Sequence, residues 1–176
     1  MAGLGRIWRR WGAIAVLVLL LSGLGAGRAI ASVHEYPLDP PGAGRVMFRS
    51  LQPLRDREDR TWQVVLLTEG DGQQVTAVRL RLSAFPGTVV DRDRPLQVAS
   101  GGQSWSLADD FALAATSPNV GEYDLMAALG TMDSRAPLTL TVPLVVGDRA
   151  IATTIPVPPF AVGEWFKMLD QATGQG

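Results

Sequence analysis

Cysteine is absent from all 176 residues. That excludes disulfides, a thiol-anchored lipoprotein, a c-type haem, a zinc–thiolate site and thiol redox chemistry. Histidine occurs once, at His34, so no second imidazole exists to complete a metal site. Lysine is nearly missing beyond residue 31, where Lys167 and 11 arginines face 17 acidic residues, a net charge of −5. That sign disfavours nucleic acid as a partner, because phosphate binding needs a basic surface. It equally disfavours electrostatic binding to anionic lipid. Acidic residues are missing from residues 1–31, which carry Arg6, Arg9, Arg10 and Arg28.

What those first residues do have is an export pattern. Arg6, Arg9 and Arg10 precede an unbroken apolar run over residues 13–21, and small residues follow, ending in Ala29-Ile30-Ala31. Residues 1–31 are expected to be a signal peptide cleaved after Ala31. The alternative is an uncleaved anchor, which would be the only contact with a membrane. The uncharged stretch over residues 11–27 is at the short edge for a spanning helix and contains four glycines. Arg9-Arg10 suggests a twin-arginine signal, but Trp11-Gly12-Ala13 fits that signal poorly, so an ordinary secretory route is expected. The charge bias places everything after the segment outside.

The remaining residues are long enough for one core without disulfides. Residues 32–44 are rich in proline and glycine and read as an extended lead-in. Residues 45–176 read as a β domain. Residues 45–50 alternate and suit a first strand, 51–60 read as a polar connector, and 61–68 read as a strand buried on both faces. Val78, Leu80 and Leu82 alternate with Ala77, Arg79 and Arg81, which marks a strand with one wet face. Residues 88–90 suit a short edge strand, and Ser100-Gly101-Gly102-Gln103 turns a further hairpin. Residues 109–117 are ambiguous, and 123–129 suit a short helix. In 137–146 the residues Leu138, Leu140, Val142, Leu144 and Val146 point inward, and Gly147-Asp148 turns into a return strand with Ile151, Ile155 and Val157 inward. Val162, Trp165, Phe166 and Leu169 form a stripe on a helix over 160–171. Many short strands with one terminal helix predict an all-β fold, a β-sandwich in preference to a small β-barrel, with a short C-terminal helix.

Chemistry-bearing residues are sparse. His34 reads as a solvated tail residue beside Glu35. Gly102-Gln103-Ser104-Trp105 lacks the second glycine of a nucleophile elbow. Gly101-Gly102 has neither the lysine nor the helix of a phosphate-binding loop. Glu69-Gly70-Asp71-Gly72 lacks the ligand spacing of a calcium loop. Asp91 with Asp93, and Asp109 with Asp110, are the acid pairs to weigh for hydrolysis, though turns favour Asp for backbone reasons. No catalytic residue, metal ligand or cofactor is expected. The run Arg55-Asp56-Arg57-Glu58-Asp59-Arg60 alternates in sign and reads as a solvated connector or, alternatively, a docking loop. Trp165 and Phe166 either close the core or form an exposed anchor, and Tyr123 suits a packed corner. The candidate interaction surface is therefore Arg55, Arg57, Arg60, Tyr123, Trp165 and Phe166.

Several stretches resemble one family: residues 33–37 (Val-His-Glu-Tyr-Pro), Arg49-Ser50-Leu51-Gln52 with Leu54-Arg55-Asp56, residues 59–66 (Asp-Arg-Thr-Trp-Gln-Val-Val-Leu), Phe85-Pro86-Gly87, residues 119–125 (Asn-Val-Gly-Glu-Tyr-Asp-Leu), and Pro158-Pro159-Phe160 with Glu164-Trp165. They are similar to a cyanobacterial exported family, domain of unknown function 3122, over nearly all of the chain beyond residue 31. The resemblance implies a cyanobacterial source and export to the thylakoid lumen or periplasm, and it carries no activity or site. The expected role is a non-catalytic binding or assembly protein whose partner is another protein. The alternatives are a carrier with an apolar pocket for a small ligand and a carboxylate-dependent hydrolase. Intact-mass and N-terminal analysis of the exported product is expected to give Ser32 as the first residue, and a product retaining Met1 would contradict this.

Overall fold

The computed structural model describes residues 34–37, 45–110, 117–133 and 136–175. The expected signal peptide, most of the lead-in and most of the ambiguous segment 109–117 lie outside the described residues. Ten strands are described: β1 (His34–Pro37), β2 (Val46–Arg55), β3 (Thr61–Gly70), β4 (Val75–Ser83), β5 (Val89–Val90), β6 (Leu96–Ser100), β7 (Gln103–Leu107), β8 (Val120–Asp124), β9 (Leu138–Val146) and β10 (Arg149–Val157). The two helices are α1 (Met126–Leu129) and α2 (Pro159–Ala172). One antiparallel sheet has the order β1-β2-β3-β4-β8, and the other runs β10-β9-β6-β7 with β5 also on β9. The described strands form two sheets rather than a closed barrel, so the fold is a β-sandwich with a C-terminal helix.

Alternation decides which side chains fill the space between the sheets. Trp62, Val64 and Leu66 of β3, Val78, Leu80 and Leu82 of β4, Leu138, Leu140, Val142 and Leu144 of β9, and Ile155 and Val157 of β10 are all buried. Val146 and Ile151, expected inside by the same periodicity, are exposed. They lie beside the β9–β10 turn, where Arg149 pairs with Val146 and Ile151 with Leu144.

Four local expectations are corrected. The first strand does not stop at Ser50 but continues to Arg55, with Phe48, Ser50, Gln52 and Leu54 all buried. Two polar residues in that inward row hid the alternation. β3 is not buried on both faces, because Gln63 is exposed and only Val65 of its outer face is buried. Tyr123 lies in β8 rather than in a helix, because residues 120–124 pair with β4, Tyr123 opposite Leu80. Asp124 Oδ1 then accepts a hydrogen bond from Met126 N at 2.8 Å, and α1 starts there. Finally, the lead-in is extended but not free, since His34 to Pro37 pair with β2, His34 opposite Arg49.

Helix α2 begins with Pro159, a residue suited to the first turn because its missing N–H would lack a partner there anyway. It packs on β2 and β3. Ala161, Val162, Trp165, Met168 and Ala172 are buried. The helix is also tied by polar contacts. Ser50 Oγ donates to Glu164 Oε1 at 2.6 Å and Gln52 Nε2 to Glu164 Oε2 at 3.1 Å. At the far end Gly72 N donates to the Ala172 carbonyl at 3.2 Å. Gly70 lies so close that an added Cβ would come within 2.8 Å of Ala172 Cβ and collide with the Ala172 carbonyl oxygen.

The two sheets are joined at the β2–β3 turn by Asp56, whose side chain is wholly buried. Its Oδ2 accepts from Arg60 Nε (2.8 Å), Trp62 Nε1 (3.0 Å) and Thr153 Oγ1 (2.9 Å), and its Oδ1 from the backbone N–H of Arg60 (2.9 Å) and Glu58 (3.1 Å). Thr153 belongs to β10 of the opposite sheet, and Arg57 N reinforces the joint by donating to the Thr154 carbonyl at 3.0 Å. Burial alone would push the Asp56 carboxyl up. The hydrogen bonds from Trp62, from the backbone and side chain of Arg60 and from Thr153 outweigh it and hold the group below its ordinary value.

A carboxyl depressed in the folded state stabilises fully above its unfolded-state value and loses that contribution as pH falls through the folded-state value. The Asp56 contribution is therefore complete above about pH 5 and declines below about pH 4. Asp56→Asn keeps the shape but removes the charge-assisted bonds and is expected to cost about 2–4 kcal/mol in urea unfolding at neutral pH. Its stability should also fall less steeply than wild type between about pH 4 and pH 2. Gly70→Ala is expected to cost about 1–3 kcal/mol by forcing α2 off the β3 end, read as a lowered urea midpoint with the slope unchanged.

Candidate functional site

The face of the first sheet that points away from the core carries the most built surface. Outward positions of β2, β3 and β4 fall into cross-strand rows: Arg49–Leu67–Arg79, Leu51–Val65–Arg81 and Pro53–Gln63–Ser83. Side chains in such rows are neighbours on one face. Arginines stand to either side of the apolar residues of β3. A groove of about 530 Å³ runs over this face, lined by Met47, Arg49, Val65, Leu67, Arg81 and the pair Gln63 and Ser83. A second hollow of about 250 Å³ shares Gln63 and Ser83 and extends to Phe85 and Pro86. Phe85 is 60% exposed, a large apolar ring left in water just past the end of β4.

The charge along the groove is unequal. Glu122 is almost wholly buried at the β8 edge and is shared by two cations. Arg81 Nε and Nη2 both lie 2.8 Å from its Oε2, and Arg79 Nη1 lies 3.4 Å from its Oε1. The Arg49 side chain has no hydrogen bond or ion pair among the described residues. Asp124 lies opposite Arg79 on the same face, and Glu69 of β3 pairs with Arg45 at 2.8 Å, so among the described residues Arg49 is the arginine of this face without a carboxylate partner.

One member of each acid pair weighed for hydrolysis anchors a loop. Asp91 Oδ2 accepts from Arg94 Nε at 2.7 Å, and Arg94 Nη2 reaches the Ile151 carbonyl at 2.7 Å. Asp109 accepts from Glu122 N at 3.2 Å and pairs with Arg92, whose Nη2 holds the Ser117 and Val120 carbonyls. Asp93 and Asp110 are exposed. Among the described residues no group of three or more acidic, His or Cys side chains is placed to hold a metal ion.

The residues marked in the sequence as a candidate interaction surface do not come together. Arg55 and Arg57 are exposed on the β2–β3 turn, and Arg55 Nη1 donates to Asp59. Arg60 is half-buried and committed to Asp56 and Glu58. Tyr123 and Trp165 are fully buried and drop out as surface residues. Trp165 is the largest side chain by which α2 closes the core, so only its core-packing reading stands; Phe166 is half-buried against that core. Tyr123 lies over Gly121, where an added Cβ would approach its hydroxyl to 2.5 Å. Burial, and then the charge of Asp109, push that hydroxyl well above its ordinary value, with Arg92 opposing. Sequence reasoning missed Arg49, Gln63, Ser83 and Phe85. The available signal was the outward alternation of Arg79 and Arg81, which marked the wet face without saying what lay beside it.

No match was found among curated proteins or among solved structures. Residues 31–168 match a family model described as Protein of unknown function (DUF3122). The match covers most of the chain and spans the sandwich together with most of α2, so the chain belongs to that family.

Proposed function

We propose that the chain is an exported, non-catalytic binding or assembly protein that recognises another protein in the thylakoid lumen or periplasm of a cyanobacterium. The observation that carries this reading is the long open groove on the outer face of β2, β3 and β4, with an apolar floor at Val65 and Leu67 and an exposed ring at Phe85. Open, extended surfaces with apolar and arginine contacts suit protein partners, whereas small ligands are usually enclosed. A carrier pocket between the sheets is less favoured, because Trp62, Trp165 and the leucines of β4 and β9 fill that space. A hydrolase is less favoured because Asp91 and Asp109, one member of each weighed acid pair, are engaged with arginines.

A photo-crosslinking amino acid placed at Phe85 in the full chain, expressed in a cyanobacterium, tests the reading. It is expected to give discrete protein adducts that the same group at Asp148, on the exposed β9–β10 turn, does not give. Equal labelling from the two positions would overturn it.

A further inference from the structure

We infer that the groove receives an extended acidic segment of the partner, with carboxylates over Arg49 and Arg81 and an apolar side chain between them on Val65 and Leu67. This rests on the protein-binding reading above and adds the chemistry of what is bound.

The argument begins with charge. Residues 32–176 carry a net charge of −5, so a general attraction for acidic chains is not expected of this domain. Within the groove on the outer face of the first sheet the balance differs, since its charged lining residues are Arg49 and Arg81, while the carboxylates of that face, Glu69, Glu122 and Asp124, are not among the lining residues. A local field of opposite sign to the rest of a surface is selective, because it draws an anionic group to one place while the remainder repels it. Arg49 has no ion pair among the described residues. Arg81 is held by Glu122 through two nitrogens, which fixes the orientation of its guanidinium. Arginine rather than lysine at Arg49 also suits a carboxylate, since the planar fork matches it in two-point contact.

Spacing then favours a peptide over a small anion. Arg49 lies opposite Leu67, and Arg81 opposite Val65 on the other side of β3. The two arginines are thus two strands apart and offset by two residues, about 12 Å between backbones. Residues i and i+4 of an extended chain are separated by about 13 Å and lie on one face, with i+2 between them. An acid, any residue, an apolar residue, any residue and an acid therefore match the groove in order. Free phosphate or a single carboxylate would leave Val65 and Leu67 uncovered.

The test uses the full chain and two fluorescein-labelled peptides, Glu-Ser-Leu-Ser-Glu and Lys-Ser-Leu-Ser-Lys, followed by fluorescence anisotropy. The acidic peptide is expected to bind at least tenfold more tightly than the lysine peptide, and to weaken as salt is raised. Arg49→Glu should remove that preference, and Arg49→Gln, which keeps an uncharged polar side chain, should weaken binding several-fold, both with unchanged thermal unfolding. Equal binding of the two peptides, no effect of either Arg49 variant, or displacement of the peptide by inorganic phosphate at constant ionic strength would each overturn the inference, the last marking a small-anion site. Photo-crosslinking from Phe85 separates the two levels. Adducts that persist unchanged in Arg49→Glu would reject the acidic segment while leaving a protein partner in place, whereas the absence of adducts in both chains would reject both.

Discussion

The joint between the two sheets rests on a carboxylate held out of water. Asp56 gathers four N–H donors and the Thr153 hydroxyl at the point where the β2–β3 turn meets β10, the edge strand of the opposite sheet. A buried charge with fewer partners would be costly, so this arrangement tolerates little slippage of β10 relative to β2. The position of β10 in turn sets where the chain leaves at Val157 and where α2 begins at Pro159. Trp62 belongs to both systems, with its ring in the core and its Nε1 on Asp56. Hydrophobic burial supplies most of the stability, and the polar cluster selects which packing of the sheets it stabilises.

A second polar contact orients α2. Burial of Val162, Trp165 and Met168 is non-directional and would accept small rotations of the helix. The hydrogen bonds of Ser50 and Gln52 to Glu164 specify one register, and the approach of Ala172 to Gly70 specifies the other end. Satisfying Glu164 also accounts for two polar side chains in the inward row of β2. With the inner faces of β2 and β3 committed to α2 and the core, their outer faces remain as open surface. The groove over Val65 and Leu67 follows from that division.

The outer face differs in character from the rest of the domain. Three arginines elsewhere are used internally: Arg60 on Asp56, Arg92 on Asp109 and two carbonyls, Arg94 on Asp91 and the Ile151 carbonyl. These contacts pin loops to strands. Arg49, Arg79 and Arg81 stand instead on the outer sheet surface beside apolar residues, where Arg79 and Arg81 share Glu122 and Arg49 has no ion pair among the described residues. The same residue type thus works as a loop anchor on one part of the molecule, as a strand-to-strand tie at Arg79 and Arg81, and as open charge at Arg49, and pairing geometry makes the difference.

Regular alternation made much of the architecture readable in advance. Residues 77–82 and 138–144 repeat apolar and polar side chains with period two, and the spacing of Val162, Trp165 and Leu169 marks the helix, so an all-β domain closed by a C-terminal helix is legible from the order of residues alone. Where polar residues face inward the pattern broke. Ser50 and Gln52 disguised half of β2 as a connector, because nothing local announces that Glu164, more than 100 residues later, will receive their hydrogen bonds. Asp56 looked like one member of a solvated charge run for the same reason, since Thr153 and Trp62 reach it only after the sheets have packed. The candidate site was the least legible part. Arg49 and Arg81 are distant in sequence and come to flank Val65 and Leu67 through the register of β2, β3 and β4, and that register exists only once the strands have assembled into a sheet.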